Sequence, residues 1–324
     1  MENRELNLCE ILGRIQVWAA PVIEGDIPHG DMPGDKVQIE DTHITKANQI
    51  FPVLIEQLSS KIKETKVKKV VVTVCGGSGV GKSEIASVLS FYLNSIGIGA
   101  YTLSGDNYPH RIPRYNDAER LRIFRESGIK GMVKNGEFSA ERFAVLHNFQ
   151  IKEEDANPVY MKEYPWFNSY LSSGKEALSS YLGSSKEIGF DGLTDIISQF
   201  KNGEEKIWLR RMGREDTELW YEEVDFSNIN VLIIEWTHGN SSQFEGVDIP
   251  ILLNSTPQET LVHRRSRNRD GATDSPFTML VLSIEQQMLE QQASRAKIIL
   301  SKNGELLNYN DYCSLMDKSR GEMV

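Results

Sequence analysis

The segment GGSGVGKS, residues 76–83, has the residue types and spacing of a phosphate-binding loop. It matches the pattern G-x-x-x-x-G-K-[ST] in full, between an apolar β-branched run and a helix-like pattern. Glycines leave consecutive backbone N–H groups free to surround a phosphate, and a helix N-terminus adds partial positive charge. The residues predicted to bind a nucleotide in this way are Gly76, Gly77, Ser78, Gly79, Val80, Gly81, Lys82 and Ser83.

Lys82 and Ser83 have individual roles in such a loop. The lysine reaches the β- and γ-phosphates, and the serine hydroxyl binds Mg²⁺. A purely structural glycine-rich turn is the alternative. The match in both pattern and context favours the nucleotide site.

Two acidic residues stand where predicted strands end. Asp106 follows the run GAYTLSGD, and Glu235 ends the apolar run VLIIE. Because the carboxyl ends of parallel strands share one crevice, we expect Asp106 to face the same cleft as the loop. A carboxylate there accepts a proton from an attacking hydroxyl or binds Mg²⁺. The alternatives are a turn or N-cap aspartate at 106 and a strand-end carboxylate exposed to water at 235.

A cluster of arginines lies in the last third of the sequence. The run HRRSRNRD, residues 263–270, places Arg264, Arg265, Arg267 and Arg269 within six residues. Guanidinium groups in such a cluster can clamp a phosphoryl group during transfer. A solvated basic helix end, favoured by the helix dipole, is the alternative.

Strand-like and helix-like segments alternate on both sides of the loop, which predicts an α/β fold with an open, mostly parallel sheet and helices on both faces. Residues 1–45 read as irregular, and a helix is predicted at about residues 47–63. We expect an N-terminal extension over residues 1–66 and a P-loop NTPase-type domain over 67–324. Residues 109–189 form a largely helical insertion in this scheme, an acceptor-side or lid subdomain.

Composition restricts the class of protein and its partners. The chain has 324 residues and a net charge of -10, which argues against a nucleic-acid or membrane-surface binder. Three cysteines far apart support neither disulfides nor a zinc site, so a reducing cytoplasm is expected. The first residues lack an apolar signal core, and no apolar stretch is long enough to span a membrane.

These motifs in this order resemble the uridine kinase / phosphoribulokinase / type I pantothenate kinase family of P-loop kinases. The resemblance rests on GGSGVGKS, LSGDNYPHR, VLIIEWTHG, ILLNSTPQETLVHRRSRNRD and FDGLTDIISQFKNG, and it covers about residues 68–108 and 190–301. It implies ATP with Mg²⁺, Asp106 as base or Mg²⁺ partner, and Glu235 near Mg²⁺ and the acceptor. It also implies Arg265 and Arg269 on a mobile lid, with Arg265 touching the nucleotide.

The sequence departs from this family in three places. Trp236 stands where the family usually has glycine, IWLRRMGRED replaces the substrate hairpin, and residues 109–189 have no counterpart in a minimal uridine kinase. All three departures fall on the acceptor side. The motifs therefore do not identify the acceptor.

The sequence as a whole predicts a kinase that transfers the γ-phosphoryl group of MgATP to a hydroxyl of a small metabolite. Its many arginines suggest an anionic acceptor, unless they pair with nearby acids. The residues predicted to contact the acceptor are Asp106, Tyr108, His110, Arg111, Arg210, Arg211, Glu235 and His238. The alternative is a nucleotide-dependent regulatory or assembly protein that uses the insertion as a partner surface. A homodimer is left open.

Overall fold

The computed structural model describes residues 19–23, 25, 27–35, 37–64, 68–267 and 275–321. Its strands are β1 Val70–Gly76, β2 Ala100–Ser104, β3 Lys206–Met212, β4 Leu219–Asp225, β5 Val231–Glu235, β6 Ile249–Leu253, β7 Ile298–Leu300 and β8 Leu306–Leu307. Its α-helices are α1 Asp41–Glu64, α2 Lys82–Ser95, α3 Pro113–Lys134, α4 Ala140–Ile151, α5 Phe167–Tyr181, α6 Phe190–Asn202, α7 Leu261–Arg267, α8 Pro276–Gln292 and α9 Tyr309–Gly321.

Six of the strands form one sheet in the order β2-β5-β1-β6-β7-β8. Every neighbouring pair is parallel except β7 with β8, which form an antiparallel pair. Strands β3 and β4 form a separate antiparallel hairpin. In the register of the sheet, Glu235 lies between Val74 of β1 and Ser104 of β2, so the carboxyl ends of three strands meet at Glu235.

The sheet is buried on both faces, which explains its continuous apolar strands. On one face Val70, Val72 and Val74 of β1 pack with buried residues of α1 and α2. On the other face Cys75 packs with residues that include Leu289 of α8 and Met316 of α9. The predicted open, mostly parallel sheet with helices on both faces is confirmed.

Contacts divide the chain into two compact units. The first comprises Met1–Tyr108, Phe190–Ser255 and Leu289–Val324, and the second comprises Pro109–Gly189 and Thr256–Met288. Helix α1 therefore belongs by contact to the unit that contains the phosphate loop, and the division expected at residue 66 stays a prediction. Residues 109–189 are largely helical, as the sequence indicated.

The second unit has its own core, rich in aromatic side chains. Phe124 of α3 packs edge-to-face on Tyr170 of α5, with ring centroids 5.4 Å apart, and Phe167 stacks on Tyr170. Val281 and Ile284 of α8 complete this core. The aromatic residues between 160 and 170 are therefore mainly core residues of the helical unit.

The start of helix α1 differs from the sequence expectation. Helix α1 begins at Asp41, six residues before the predicted start, because its polar first turn lacks the apolar stripe that begins at Ala47. Helix α7 begins at Leu261, after a turn over residues 257–260. A capping box is present in that turn: the Thr256 amide donates to Glu259 at 2.7 Å, and the Glu259 amide donates to the Thr256 hydroxyl at 3.3 Å.

The burial of α1 against the sheet predicts that it stabilises the first unit. Leu54 is fully buried in that core, so Leu54→Ala should lower the free energy of unfolding by about 2–5 kcal/mol in urea denaturation. Glu56→Ala on the exposed side of the same helix is the control, expected within about 0.5 kcal/mol of wild type. A Leu54→Ala protein as stable as the control would contradict this role of α1.

Candidate active site

The phosphate loop runs from the end of β1 at Gly76 to the start of α2 at Lys82. Gly81, the residue that caps α2, has a φ of 94°, in the left-handed region that favours glycine. The side chain of Lys82 folds back over the loop, where its Nζ donates to the carbonyl of Gly77 at 3.1 Å. The loop therefore has the backbone turn expected of a phosphate site, and the contact of Lys82 with a phosphate stays a prediction.

Glu235, at the end of β5, is the polar centre of the site. Its side chain accepts a hydrogen bond from Ser83 Oγ at 3.1 Å and one from Ser104 Oγ at 2.5 Å, each on a different carboxylate oxygen. Glu235 is only 4% exposed, which excludes the water-exposed strand-end alternative. Burial, with the Asp106 carboxylate adding to it, raises the pKa of Glu235 to about 8.

Asp106 lies in the short 3₁₀ turn Gly105–Asn107 that follows β2. Its side chain is exposed, and its charge is close enough to act on the pKa of Glu235. The turn passes directly under the indole of Trp236, since a Cβ at Gly105 would lie 2.1 Å from Trp236 Cγ. Only glycine fits there, so Trp236, the residue that departs from the family pattern, fixes the path of the turn that carries Asp106.

Asp31 comes from the irregular N-terminal segment and reaches the same edge of the sheet. Its Oδ1 accepts from the Ser104 amide at 2.7 Å and from Asn107 Nδ2 at 3.0 Å. Its Oδ2 accepts from the Tyr101 hydroxyl at 3.0 Å and from Arg211 at 2.8 Å. Burial raises the pKa of Asp31, and the charge of Arg211 opposes that rise. Asp31 thus joins β2, the turn after it and the hairpin strand β3.

Other predicted acceptor residues of the first unit lie around this network. Tyr108 is 3% exposed, and burial raises the pKa of its hydroxyl. His238 is largely buried and contacts the indole of Trp236 edge-on, with ring centroids 5.1 Å apart. Arg210, on β3, is half-buried and donates to the sulfur of Met212 at 3.6 Å. Their contact with an acceptor stays a prediction.

Four predicted site residues belong to the second unit, and three of them are among the described residues. His110 contacts the carbonyl of Ser185 at 3.0 Å through its Nε2. Arg111 donates to the hydroxyl of Tyr181 at 2.9 Å. Arg265 is exposed on α7. Arg269 lies outside the described residues, so its lid role stays a prediction.

The arginine cluster contains one residue whose contacts are structural. Arg264 is 3% exposed and donates to the carbonyl of Pro257 at 2.7 Å and to the hydroxyl of Thr260 at 2.6 Å. These bonds hold α7 to the turn before it. Of the neighbouring pair Arg264 and Arg265, only Arg265 is exposed enough to serve as a lid residue.

Sequence reasoning missed several residues of the site. Asp31, Ser104 and Asn107 were not singled out, although Asp31 accepts hydrogen bonds from both Ser104 and Asn107. Asp31 sits in a Pro- and Gly-rich segment without periodicity, and its partners are about 70 to 180 positions away. The sequence contains no local signal that would have found it.

The donor set of the site fits Mg²⁺ with a nucleotide. Ser83 supplies a hydroxyl and Glu235 a carboxylate within 3.1 Å of each other, and Mg²⁺ prefers such oxygen ligands. In the part of the chain that the structure describes, no group of three or more His, Cys, Asp or Glu could hold a metal. Phosphate and water would therefore supply the remaining ligands, which is usual for Mg²⁺ at a nucleotide.

The fold and this site define an α/β protein of the P-loop NTPase type. No protein-family model matches the sequence. The chain is 38% identical over 267 residues to the bifunctional alpha-galactosidase/sucrose kinase AgaSK of Mediterraneibacter gnavus, a match that covers 82% of this chain. The match covers 23% of that relative, so the chain spans less than a quarter of its length.

Solved kinase structures also match the chain at low identity. D-glycerate 3-kinase from Cryptococcus neoformans matches with a TM-score of 0.45 and 12% identity, over 81% of this chain and 97% of that one. A possible uridine kinase from Bacillus stearothermophilus matches with a TM-score of 0.36 and 16% identity, over 76% of this chain and 98% of that one. Among the described residues, no helix combines the length and the apolar character that crossing a membrane requires.

The raised pKa of Glu235 predicts how the stability of the ligand-free protein depends on pH. Because the folded pKa is about 8 and the ordinary value is 4.5, the unfolded state releases its proton first as pH rises. Stability from this group is therefore complete below pH 4.5 and is lost as pH rises toward 8. Glu235→Gln has no such proton and should be more stable than wild type at pH 8, by roughly 1–3 kcal/mol.

The measurement is the melting temperature of both proteins from pH 5 to pH 8.5 in the presence of a chelator. Glu204→Gln, at an exposed residue of the same unit, is the control and should keep the wild-type pH dependence. If Glu235→Gln and wild type lose stability in parallel as the pH rises, the raised pKa is wrong.

Proposed function

We propose that this chain is a small-molecule kinase that transfers the γ-phosphoryl group of MgATP to a hydroxyl of a sugar. One observation carries the proposal: the carboxyl edge of the sheet holds the phosphate loop, the Ser83–Glu235 pair and Asp106 together. Phosphoryl transfer needs these three parts, a phosphate cradle, oxygen ligands for Mg²⁺ and a carboxylate for the attacking hydroxyl.

The curated relative carries two activities in its name, and the site favours one of them. A glycosidase works with two carboxylates on either side of the scissile bond. Here the two carboxylates, Glu235 and Asp106, lie beside a loop built for phosphate, and Glu235 is bonded to the loop serine itself. We therefore assign to this chain the kinase activity and not the galactosidase activity.

Each residue of the site has a separate role in the proposed reaction. Bound MgATP supplies the γ-phosphoryl group and a divalent charge that neutralises the phosphates. Lys82 would contact the β- and γ-phosphates, and Ser83 with Glu235 would hold the Mg²⁺ that accompanies them. Asp106 accepts the proton of the acceptor hydroxyl as that oxygen bonds to the γ-phosphorus. The bond from the γ-phosphorus to the β–γ bridging oxygen breaks, and ADP leaves with the electron pair.

Lid arginines complete the proposed mechanism. Arg265, exposed on α7, and Arg269 neutralise charge on the transferring group and keep water away from it. Exclusion of water matters because an open site would hydrolyse ATP in place of phosphorylating the acceptor. We accordingly expect little ATPase activity until the acceptor binds.

The contacts of two of the predicted acceptor arginines support a neutral sugar over an anionic acceptor. Arg211 is ion-paired with Asp31 at 2.8 Å, and both side chains are under a tenth exposed. Arg111 donates to Tyr181 and lies 3.8 Å from Glu119. These positive charges are already balanced by the protein, and sucrose, the substrate in the relative's name, carries no charge. We propose sucrose or a similar neutral sugar as the acceptor.

The cellular setting of this function is also a proposal. Cys75 and Cys313 are free thiols, as expected in a reducing compartment. We propose a cytoplasmic enzyme, where ATP is available, with a small-molecule acceptor as its partner.

Asp106→Asn tests the proposed base. We expect kcat to fall by about 10² to 10⁴, because general base catalysis contributes that much, while the affinity for ATP stays within about threefold. ATP-dependent phosphorylation followed by ADP release measures the first, and calorimetric titration with MgATP the second. Asp195→Asn, at an exposed residue of α6, is the control and should turn over as wild type does. Full turnover by Asp106→Asn would remove Asp106 from the base role.

A panel of acceptors separates the proposed function from the regulatory alternative. ADP release should remain slow with ATP alone and rise at least tenfold with sucrose or another neutral sugar in a panel that also contains nucleosides, sugar acids and pantothenate. Phosphate appearing on an anionic compound alone would contradict the neutral acceptor. Slow ATP hydrolysis that no acceptor accelerates would favour the regulatory or assembly protein.

A further inference from the structure

The N-terminal segment contributes a buried carboxylate beside the proposed catalytic turn. Asp31 is 8% exposed at its side chain and accepts four hydrogen bonds, two on each oxygen. Two of these bonds come from residues near Asp106 in the chain: the amide of Ser104 and the side chain of Asn107. A single carboxylate thus holds the chain on both sides of Asp106.

The same hydrogen-bond network also connects the turn after β2 to the hairpin. The side-chain oxygen of Asn107 accepts from the amide of Met212 at 3.0 Å, while its nitrogen donates to Asp31. Arg211, the neighbour of Met212, donates to Asp31 and to the Tyr101 hydroxyl, at 2.8 and 3.0 Å. The turn after β2 and strand β3 are therefore both anchored to Asp31.

The residue before Asp31 lies against Glu235. A Cβ at Gly30 would lie 3.5 Å from Glu235 Oε1 and 3.8 Å from the Cβ of Ser104. This backbone packs against the side chain of Glu235, to which Ser83 and Ser104 donate. The segment with Gly30 and Asp31 is part of the wall of the site, although it lies more than 40 positions before the phosphate loop.

A buried ion pair is a costly way to stabilise a fold. Two apolar side chains of similar volume often stabilise as well as a buried pair such as Asp31–Arg211. Such a pair fixes geometry more strictly than apolar packing does, because each oxygen has a definite donor. Its partners here are the residues around the proposed base, where strict geometry matters most.

We propose that Asp31 is a positioning residue that holds the turn Gly105–Asn107 so that Asp106 meets the acceptor hydroxyl. This inference rests on the proposed function, since it assigns Asp31 to the same phosphoryl transfer. Asp31 acts through Ser104 and Asn107 and does not itself touch the substrates. Its removal should therefore slow transfer and leave nucleotide binding on the phosphate loop intact.

The chain offers a closely matched control in its second unit. Asp155 is 2% exposed, accepts from Arg125 at 2.9 and 2.8 Å, and accepts from the Tyr170 hydroxyl at 2.7 Å. Asp31 and Asp155 are thus both buried aspartates held by one arginine and one tyrosine. Asp155→Asn perturbs a buried pair of the same chemistry, but it lies in the core of the helical unit and has no part in the proposed site.

The experiment compares wild type, Asp31→Asn and Asp155→Asn as full-length chains. Steady-state kinetics with MgATP and the best sugar of the panel give kcat and the KM for ATP. Hydrogen–deuterium exchange of the ligand-free proteins gives protection over residues 102–108 and 208–213. For Asp31→Asn we expect kcat to fall at least thirtyfold, KM for ATP to stay within threefold, and exchange to quicken in those two segments. Asp155→Asn should change neither kcat nor those two segments by more than threefold.

Each outcome decides the proposal. Wild-type kcat in Asp31→Asn, or unchanged exchange over residues 102–108, overturns it. An equal fall in kcat in Asp155→Asn also overturns it, because the effect would then follow from general destabilisation. If the wild type phosphorylates no acceptor, the proposed function is wrong, and the exchange data still decide whether Asp31 holds the turn.

A milder variant covers the case in which Asp31→Asn does not fold. Tyr101→Phe keeps the ring that packs on Phe226 at 5.2 Å and removes only the hydroxyl that bridges Asp31 and Arg211. A fall in kcat of twofold or more with an unchanged KM for ATP supports the proposal. An unchanged kcat in Tyr101→Phe overturns it in that case.

Discussion

The arrangement of the site depends on the carboxylate of Glu235, which is buried at the end of β5 and held by two serine hydroxyls. One serine begins the helix after the phosphate loop, and the other ends β2. A buried carboxyl group is stable only when hydrogen-bond partners such as these meet its oxygens. Glu235 therefore ties the loop to the strand that precedes Asp106, and the parts needed for phosphoryl transfer come together because this one side chain must be satisfied.

A second buried carboxylate, that of Asp31, connects further elements to the site. Asp31 accepts hydrogen bonds from the residues on either side of Asp106 and pairs with Arg211 of the hairpin. These contacts attach the irregular N-terminal segment to the edge of the sheet. Trp236 adds a further constraint by packing on Gly105. The turn that carries Asp106 is consequently constrained by three elements distant in the chain. Rigid support of this kind is what a catalytic carboxylate needs to reach a hydroxyl in a fixed pose.

The sequence predicted the parts of this site that have local patterns. The phosphate loop was found from its spacing, and Asp106 and Glu235 from the apolar runs before them, because a buried parallel strand and a glycine-rich turn each leave a short, specific signature. The polar first turn of α1 and the partners of Arg211 escaped prediction. Arg211 looked like a ligand for an anion, whereas its charge is met by Asp31, 180 positions away. Contacts between residues so far apart in the sequence leave no periodic pattern from which they could be predicted.

The division of the chain has a consequence for synthesis on the ribosome. Both units are discontinuous, since the helical unit combines Pro109–Gly189 with Thr256–Met288 and the other unit is assembled from three pieces. The core around Phe124 and Tyr170 also contains Val281 and Ile284, so it stays incomplete until α8 has been synthesised. Folding of the helical unit during translation must therefore wait for α8, and its earlier aromatic segments need protection from association in the meantime.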